Sequence, residues 1–325
     1  NDKTNNIENI ILAFSLLFID KENIKGLILK GKNSPLKDEL LKRTKLLFKK
    51  NHFLKINPFV DDTALSGGMD FIKTLKKGKK ISNLGLLDKK NTIFHLSMAE
   101  KINSNLAGRY YTAFEKNNTL AFILTDESSS QDENIHSGFI DRLSFNLNLD
   151  NIHYTEMKKI KFEKKKLKLA RKKISSIKYD KNIYRAISEV CFSFKISSMR
   201  AHFLTFYSAR AIAAYEGHDK IELKDLEKAV FFCLSHKAIS IPERKENEEN
   251  DNKKSQSEGL QNTNENSNEN ENEIPLEILL DSVMSGISPE IFKFLKMKSR
   301  KNFEHSSNSG SGQKKINKNN GSPLP

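Results

Sequence analysis

The chain has 325 residues, with 55 Lys and Arg against 41 Asp and Glu, a formal charge of +14 and 37% apolar residues. At roughly 150 residues per domain, this length suggests two domains or one domain with tails. No apolar run approaches the roughly 20 residues that span a bilayer. The polar start, Asn1 to Asn6, leads into no signal-peptide core.

Residues 7–20 read as an apolar helix followed by a turn, and Gly26–Lys30 as a short buried strand. An amphipathic helix is expected over Leu36–Lys50, with Leu36, Leu40, Leu41, Leu47 and Phe48 on or near one face. Gly67-Gly68 opens a turn-rich stretch. Thr92–Ser97 reads as a second buried strand, Met98–Asn117 as a helix, and Thr119–Thr125 as a third strand. These strands are continuously apolar rather than alternating, as fits strands covered on both faces. Their alternation with helices predicts an α/β parallel sheet over residues 1–150.

From residue 151 to 242 the pattern is helical, with Tyr184–Phe194, Ser198–Glu216 and Leu223–Ala238 carrying helical apolar spacing. Gly217 ends one of these helices. Residues 243–273 are almost wholly Glu, Asn, Lys, Ser and Gln, a composition that predicts a disordered linker. Apolar residues return over 274–300, and 301–325 is a Gly/Ser/Asn/Lys tail expected to be disordered. Cys191 and Cys233 lie in apolar helical contexts and read as buried free thiols, which suits a reducing cytoplasm.

The heaviest positive cluster runs from Lys158 to Lys173. It has one interleaved aromatic, Phe162, and Lys and Asn are abundant throughout the chain. The cluster therefore reads as a solvated helix face, and no nucleic-acid partner is expected. His95, His136 and His202 lack ligand spacing with Cys or carboxylates, so no metal site is expected.

The candidate chemistry follows the first strand. Gly31-Lys32-Asn33-Ser34-Pro35-Leu36-Lys37-Asp38 keeps the first Gly and the Lys of a phosphate-binding loop, G-x-x-x-x-G-K-[ST]. Leu36 stands where the second Gly belongs. Asp38 stands where a hydroxyl should hold Mg²⁺, and a carboxylate there repels phosphate. The string Asp126-Glu127-Ser128-Ser129-Ser130 offers a carboxylate and hydroxyls of the kind that bind octahedral metals, but reads as a Ser-rich turn.

In order, these pieces resemble the AAA+ module of the magnesium chelatase D subunit in its proteobacterial, bacteriochlorophyll-making form. Gly26 to Pro35 resembles that family's degenerate P-loop. Leu65-Ser66-Gly67-Gly68-Met69-Asp70 through Lys79 resembles its L-x-G-G-x-D-x-x-x-T-L-x-x-G segment, with Gly85-Leu86-Leu87 following. Ile93 to Glu100 resembles the strand leading into Walker B, and Gly138-Phe139-Ile140-Asp141-Arg142-Leu143 the L-x-D-R-x stretch. Ser197 to His202, Ala209 to Gly217 and Asp225 to Val230 resemble the helical lid. The likeness covers about residues 7–240 and extends weakly through Ile274–Phe294. The integrin I domain that follows the linker in full-length D subunits is not recognisable.

The resemblance implies an AAA+ P-loop-type parallel sheet flanked by helices, then an all-helical lid and a disordered tail. Ser97 and Met98 occupy the Walker B positions and cannot hold Mg²⁺ or orient water. Glu100 is off register and reads as a favourable charge at a helix start. Arg142 matches a residue that reaches into a neighbouring subunit's ATP site. Gly31, Lys37 and Arg200 match a degenerate nucleotide site, Arg200 as the lid sensor that touches the γ-phosphate in cis. The implied role is a non-hydrolysing subunit of cytoplasmic magnesium chelatase. It would pair with the ATP-hydrolysing I subunit and support Mg²⁺ insertion into protoporphyrin IX on the H subunit, with ATP and Mg²⁺ used at the level of the complex. The competing expectation is a self-contained MoxR- or MCM-like ATPase in which Lys37 and Glu100 carry the chemistry. A third, a basic nucleic-acid-binding AAA+ relative, rests on net charge alone.

Overall fold

The computed structural model describes residues 7–49, 51–128, 133–150 and 152–238. The expectations for 243–273, 274–300 and 301–325 lie outside these residues.

Helix α1 (Ile7–Ile19) is apolar almost all round and buries eight residues. The short α2 (Lys21–Ile24) leads to strand β1 (Gly26–Lys30), and α3 (Pro35–Leu47) follows. Ser34 caps α3 through its hydroxyl, and Pro35 takes the first helical position, where its missing N–H costs nothing. Strand β2 (His52–Ile56) and α4 (Asp62–Ser66) precede a small antiparallel hairpin, β3 (Gly67–Met69) with β4 (Ser82–Leu84), that carries α5 (Phe71–Lys77) between its arms. Next come β5 (Thr92–Leu96), α6 (Ser104–Lys116), β6 (Ala121–Asp126), α7 (Ser137–Arg142) and β7 (Phe145–Asn148). The chain ends its described part with α8 (Lys164–Lys173), α9 (Asn182–Ser193), α10 (Met199–Glu216) and α11 (Leu223–Leu234).

The main sheet has the order β2-β5-β6-β1-β7 and is parallel throughout. Its two faces bury different cores. Leu27, Leu29, Ile93, Ala121, Ile123 and Phe145 face α1, α3 and the C-terminal helices. Ile28, Phe94, Leu96, Phe122 and Leu124 face α6 and α7. Side chains alternate across a strand, so two apolar faces produce the continuous apolar runs of β1, β5 and β6. Each of these buried Leu, Ile and Phe side chains contributes roughly 1.5–3 kcal/mol.

Several elements differ from the sequence expectations. The helix expected over Met98–Asn117 starts at Ser104, capped by Asn103. Ahead of it, Met98 takes a left-handed conformation (φ 49°) and Ala99–Lys101 form a single tight turn. Glu100 lies in that short turn rather than at the start of α6. β2 and β7, absent from the sequence reading, are the two edge strands, and their half-exposed residues lack a buried-strand signature. The turn-rich stretch after Gly67 contains the β3–β4 hairpin.

The lid helices share one hydrophobic cluster with α1 and one sheet face. α10 packs on α9, α11, α8 and α1. α8 buries Leu167 and Ala170 and turns most of its lysines to solvent. Lys166 lies over the Tyr215 ring, 3.7 Å from its centroid. Cys191 and Cys233 are free and buried, and burial pushes their thiols up to about 12 and about 11.

Candidate functional site at the two ends of β1

The expected site residues divide into two groups at opposite ends of one strand. Gly31 and Lys37 lie beyond the C-terminal end of β1, where parallel α/β sheets place their ligands. Arg142 and Arg200 line a cavity of about 360 Å³ together with Glu115, Lys25, Phe203 and Tyr207. Lys25 immediately precedes β1, and Asn118, another wall residue, precedes β6. At about 3.3 Å per residue, Lys25 and Gly31 are about 20 Å apart. The lid packs so that Arg200 lies beside Arg142, and the structure does not bring it together with Gly31 and Lys37.

The loop after β1 is short because α3 starts at Pro35, before the motif lysine. Gly31 has φ +149°, and a side chain there would meet Leu149 Cβ at 3.0 Å, so glycine suits both conformation and space. Its N–H donates to the Asp126 carbonyl (2.9 Å). Lys37 is nearly sealed, 3% exposed, and its ammonium donates to Gly31 O (3.2 Å) and Glu127 Oε1 (2.6 Å). Lys37 N–H donates to Ser34 Oγ, and Lys32 N–H donates to Asp150 Oδ1 (3.2 Å). Donors that would cradle phosphate in a working loop thus face the chain's own oxygens, two of them on carboxylates.

Neighbouring groups follow the same logic. Ser97, at the end of β5, donates its hydroxyl to the Ile56 carbonyl of β2 (3.2 Å). Glu100 Oε2 accepts the Glu127 N–H (3.2 Å), and Asp126 Oδ1 accepts the Ser128 N–H (3.0 Å), so Asp126 to Ser128 form a turn. Ser129 and Ser130 lie outside the described residues. Among the described residues, no group of three His, Cys, Asp or Glu is arranged to hold a metal ion. His95, 5% exposed, has no hydrogen-bond partner at Nε2 among the described residues. Burial holds its pKa down to about 4, the charges of Lys55 and Lys37 acting in the same direction.

At the other end of β1, Arg142 closes α7. Its guanidinium donates to Gly138 O (3.3 Å) and Glu115 Oε1 (3.2 Å) and lies 4.3 Å from the Tyr111 ring centroid. Tyr111 is held in turn by His136 Nδ1 (2.7 Å) and packs against Gly138, where an added Cβ would lie 2.5 Å from the ring. Burial raises the Tyr111 hydroxyl to about 12. Arg200 reaches Glu115 Oε1 (3.5 Å) and Asp141 Oδ2 (3.0 Å). Asp141 also accepts the Ser198 hydroxyl, while Lys237 donates to the Asp141 and Leu143 carbonyls (3.3 and 3.0 Å). The last turn of α7 is thereby fastened to the lid, and Arg142 with it.

Sequence reasoning missed Glu115, Glu127 and Asp150. For Glu115 a local signal existed: Tyr111 and Glu115 are four residues apart on one helix and so share a face. Glu127 and Asp150 carry no such signal, because the sheet brings them to Gly31 from two other strand ends.

A parallel sheet of this order, a glycine–lysine loop after β1 and a helical lid packed on one face define an AAA+ module. A family profile described as the AAA lid domain matches residues 184–257. A putative ATPase from Cytophaga hutchinsonii has the same fold, with TM-score 0.53 at 13% identity over 71% of this chain and 84% of its own. The chain is an AAA+ protein like the magnesium-chelatase 60 kDa subunits. It is 31% identical to that of Cereibacter sphaeroides over 73% of this chain and 42% of the relative. It is 29% identical to that of Rhodobacter capsulatus over 98% of this chain and 56% of the relative. A shorter stretch, 24% of the chain, is 31% identical to 23% of the magnesium-chelatase subunit ChlI of Anabaena variabilis. The chain spans about half the length of the 60 kDa relatives it matches.

Proposed function

We propose that this chain is a non-hydrolysing AAA+ subunit of a magnesium chelatase that lends Arg142 to an ATP site on a neighbouring subunit. The carrying observation is the separation of Arg142 and the Gly31–Lys37 loop to opposite ends of β1. An arginine side chain cannot cross the sheet to its own loop, so a nucleotide it touches belongs to another molecule. A guanidinium supplied in this way stabilises charge on the transferring phosphoryl group.

The residues of the loop do not fit a magnesium nucleotide. Glu127 neutralises Lys37, Asp150 occupies the Lys32 N–H, Asp38 replaces the Mg²⁺-binding hydroxyl, and Ser97 is engaged by β2. No step is assigned to nucleotide in this chain. ATP and Mg²⁺ act at the level of the complex: an I subunit hydrolyses ATP in a shared ring, and Mg²⁺ enters protoporphyrin IX on the H subunit, in the cytoplasm, for bacteriochlorophyll synthesis. The competing ATPase reading needs Lys37 and Glu100 free for catalysis, and Glu127 engages both.

The test is the ATPase and chelation rates of a cognate I subunit with H subunit and porphyrin, titrated with this chain or its Arg142→Ala form. Stimulation by the wild type that falls at least about 100-fold in the variant supports the reading, since arginine fingers contribute 10³–10⁵. Turnover of ATP by this chain alone overturns it.

A further inference from the structure

We propose that Glu115 is a displaceable internal anion. It occupies the Arg142–Arg200 pair in the free chain and yields that position to the polyphosphate of a nucleoside triphosphate presented by a neighbouring molecule. The identity of the incoming anion rests on the trans-arginine reading above.

Both guanidinium groups converge on one oxygen, Glu115 Oε1. Such convergence is how arginines hold phosphate as well as carboxylate. The carboxylate is the wet member of the cluster: its side chain is 62% exposed, against 17% for Arg142. Each arginine has a second anchor that does not involve Glu115. Arg142 keeps the Gly138 carbonyl and the Tyr111 ring, and Arg200 keeps Asp141, itself held by Ser198. When Glu115 swings away, both guanidinium groups stay in place with an N–H edge toward the vacated point. The cavity of about 360 Å³ beside them gives an incoming group room.

The position of Glu115 favours exchange. It lies in the last turn of α6, where exposed carbonyls make a carboxylate unfavourable. The two arginines are the named charges that keep it there. Arg142, Arg200, Asp141 and Glu115 sum to zero, so an anion approaching the intact cluster gains little Coulomb attraction. A polyphosphate, which carries more charge than one carboxylate, wins the exchange, whereas monovalent anions do not. The device therefore selects for polyphosphate and keeps the arginines neutralised until a nucleotide-bearing neighbour docks.

The experiment is calorimetric titration of the full chain with inorganic tripolyphosphate, comparing wild type with Glu115→Gln, Arg142→Ala and the double variant. Glu115→Gln keeps shape and removes charge, and thermal unfolding checks that each variant is folded. Glu115→Gln is expected to bind tripolyphosphate at least about tenfold tighter than wild type, equivalent to about 1.4 kcal/mol. The double variant is expected to lose that gain. Equal affinity of wild type and Glu115→Gln overturns the proposal, as does a gain that survives removal of Arg142. The I-subunit ATPase assay separates the two ideas. If Arg142→Ala leaves partner ATPase unchanged while the gain depends on Arg142, the displaceable anion stands and the trans reading falls. If Arg142→Ala abolishes stimulation while Glu115→Gln binds like wild type, the reverse holds.

Discussion

Arg142 and Arg200 meet on a single oxygen, Glu115 Oε1, at 3.2 and 3.5 Å. One arginine ends a helix of the sheet domain and the other opens the long lid helix, so their shared partner ties the lid to the α6–α7 side of the sheet. Their shared carboxylate is exposed to water, and a bridge of this kind is worth only about 0–1 kcal/mol. Its importance is positional.

The firmer tie is Lys237. Its ammonium satisfies two carbonyls at the end of α7, and burial lowers its pKa. Lys237→Met removes the donor and leaves both carbonyls without it, an expected loss of about 1–3 kcal/mol. Urea denaturation with an unchanged slope measures it. Stimulation of a partner ATPase is expected to fall alongside, because α7 carries Arg142. Wild-type stability in Lys237→Met would refute the capping role.

The Lys37–Glu127 pair has an asymmetry that mutagenesis exposes. The ammonium is sealed and the carboxylate is 30% exposed. Glu127→Ala leaves a buried cation with one carbonyl partner, whereas Lys37→Met leaves a carboxylate that water can reach. The first is expected to cost about 3 kcal/mol and the second about 1 kcal/mol. For both, and for wild type, Mg-ATP at about 1 mM is expected to shift the melting temperature by less than about 1 °C, since only a bound ligand stabilises. A shift of several degrees in wild type would show that the loop takes nucleotide.

His95 makes stability depend on acidity. Its folded pKa is about 4 against an ordinary 6.5, so the unfolded chain binds the proton more readily. The contribution is fully present above pH 6.5 and is lost as pH falls toward 4, the loss amounting to about 3 kcal/mol at the acid end. His218, paired with Asp225, has the opposite sign: its pKa is raised, so its contribution is present below 6.5 and fades as pH rises. Urea denaturation from pH 4 to 8 on His95→Leu should flatten the acid limb. An unchanged limb would place the acid sensitivity elsewhere.

The β3–β4 hairpin rests on a glycine contact. A Cβ on Gly85 would lie 2.4 Å from Gly67 N and from Leu65 O. Gly85→Ala must separate the two arms. It is expected to raise hydrogen exchange and proteolysis within residues 67–85 while β1, β5 and β6 stay protected. Uniform loss of protection across the chain would mean that the hairpin and the sheet unfold together.

The legible parts of this protein were those that repeat locally. β1, β5 and β6 could be read because two buried faces make a strand apolar throughout, α1 because it is a long apolar run, and α9, α10 and α11 because a core-facing helix has a period. The edge strands β2 and β7 could not, since a half-exposed strand leaves only weak alternation. The break at Met98 was hidden for a related reason: a left-handed residue and a single tight turn interrupt a helix without changing its apolar content. Arg142 and Lys37 were found as motif positions, but their partners were not. Glu127 and Asp150 reach the loop from strand ends 90 or more residues on, and Arg200 lies with Arg142 at the other end of β1.

By itself, the sequence determined the class of fold and the defects in the phosphate loop, because both are written in residue types at fixed spacing. Only the tertiary structure decided which charges meet. It set Glu127 and Asp150 against the loop and Glu115 between two arginines. Electrostatics acts through distance in space, and the parallel sheet, closing residues far apart in the chain onto the two ends of β1, is what sets that distance.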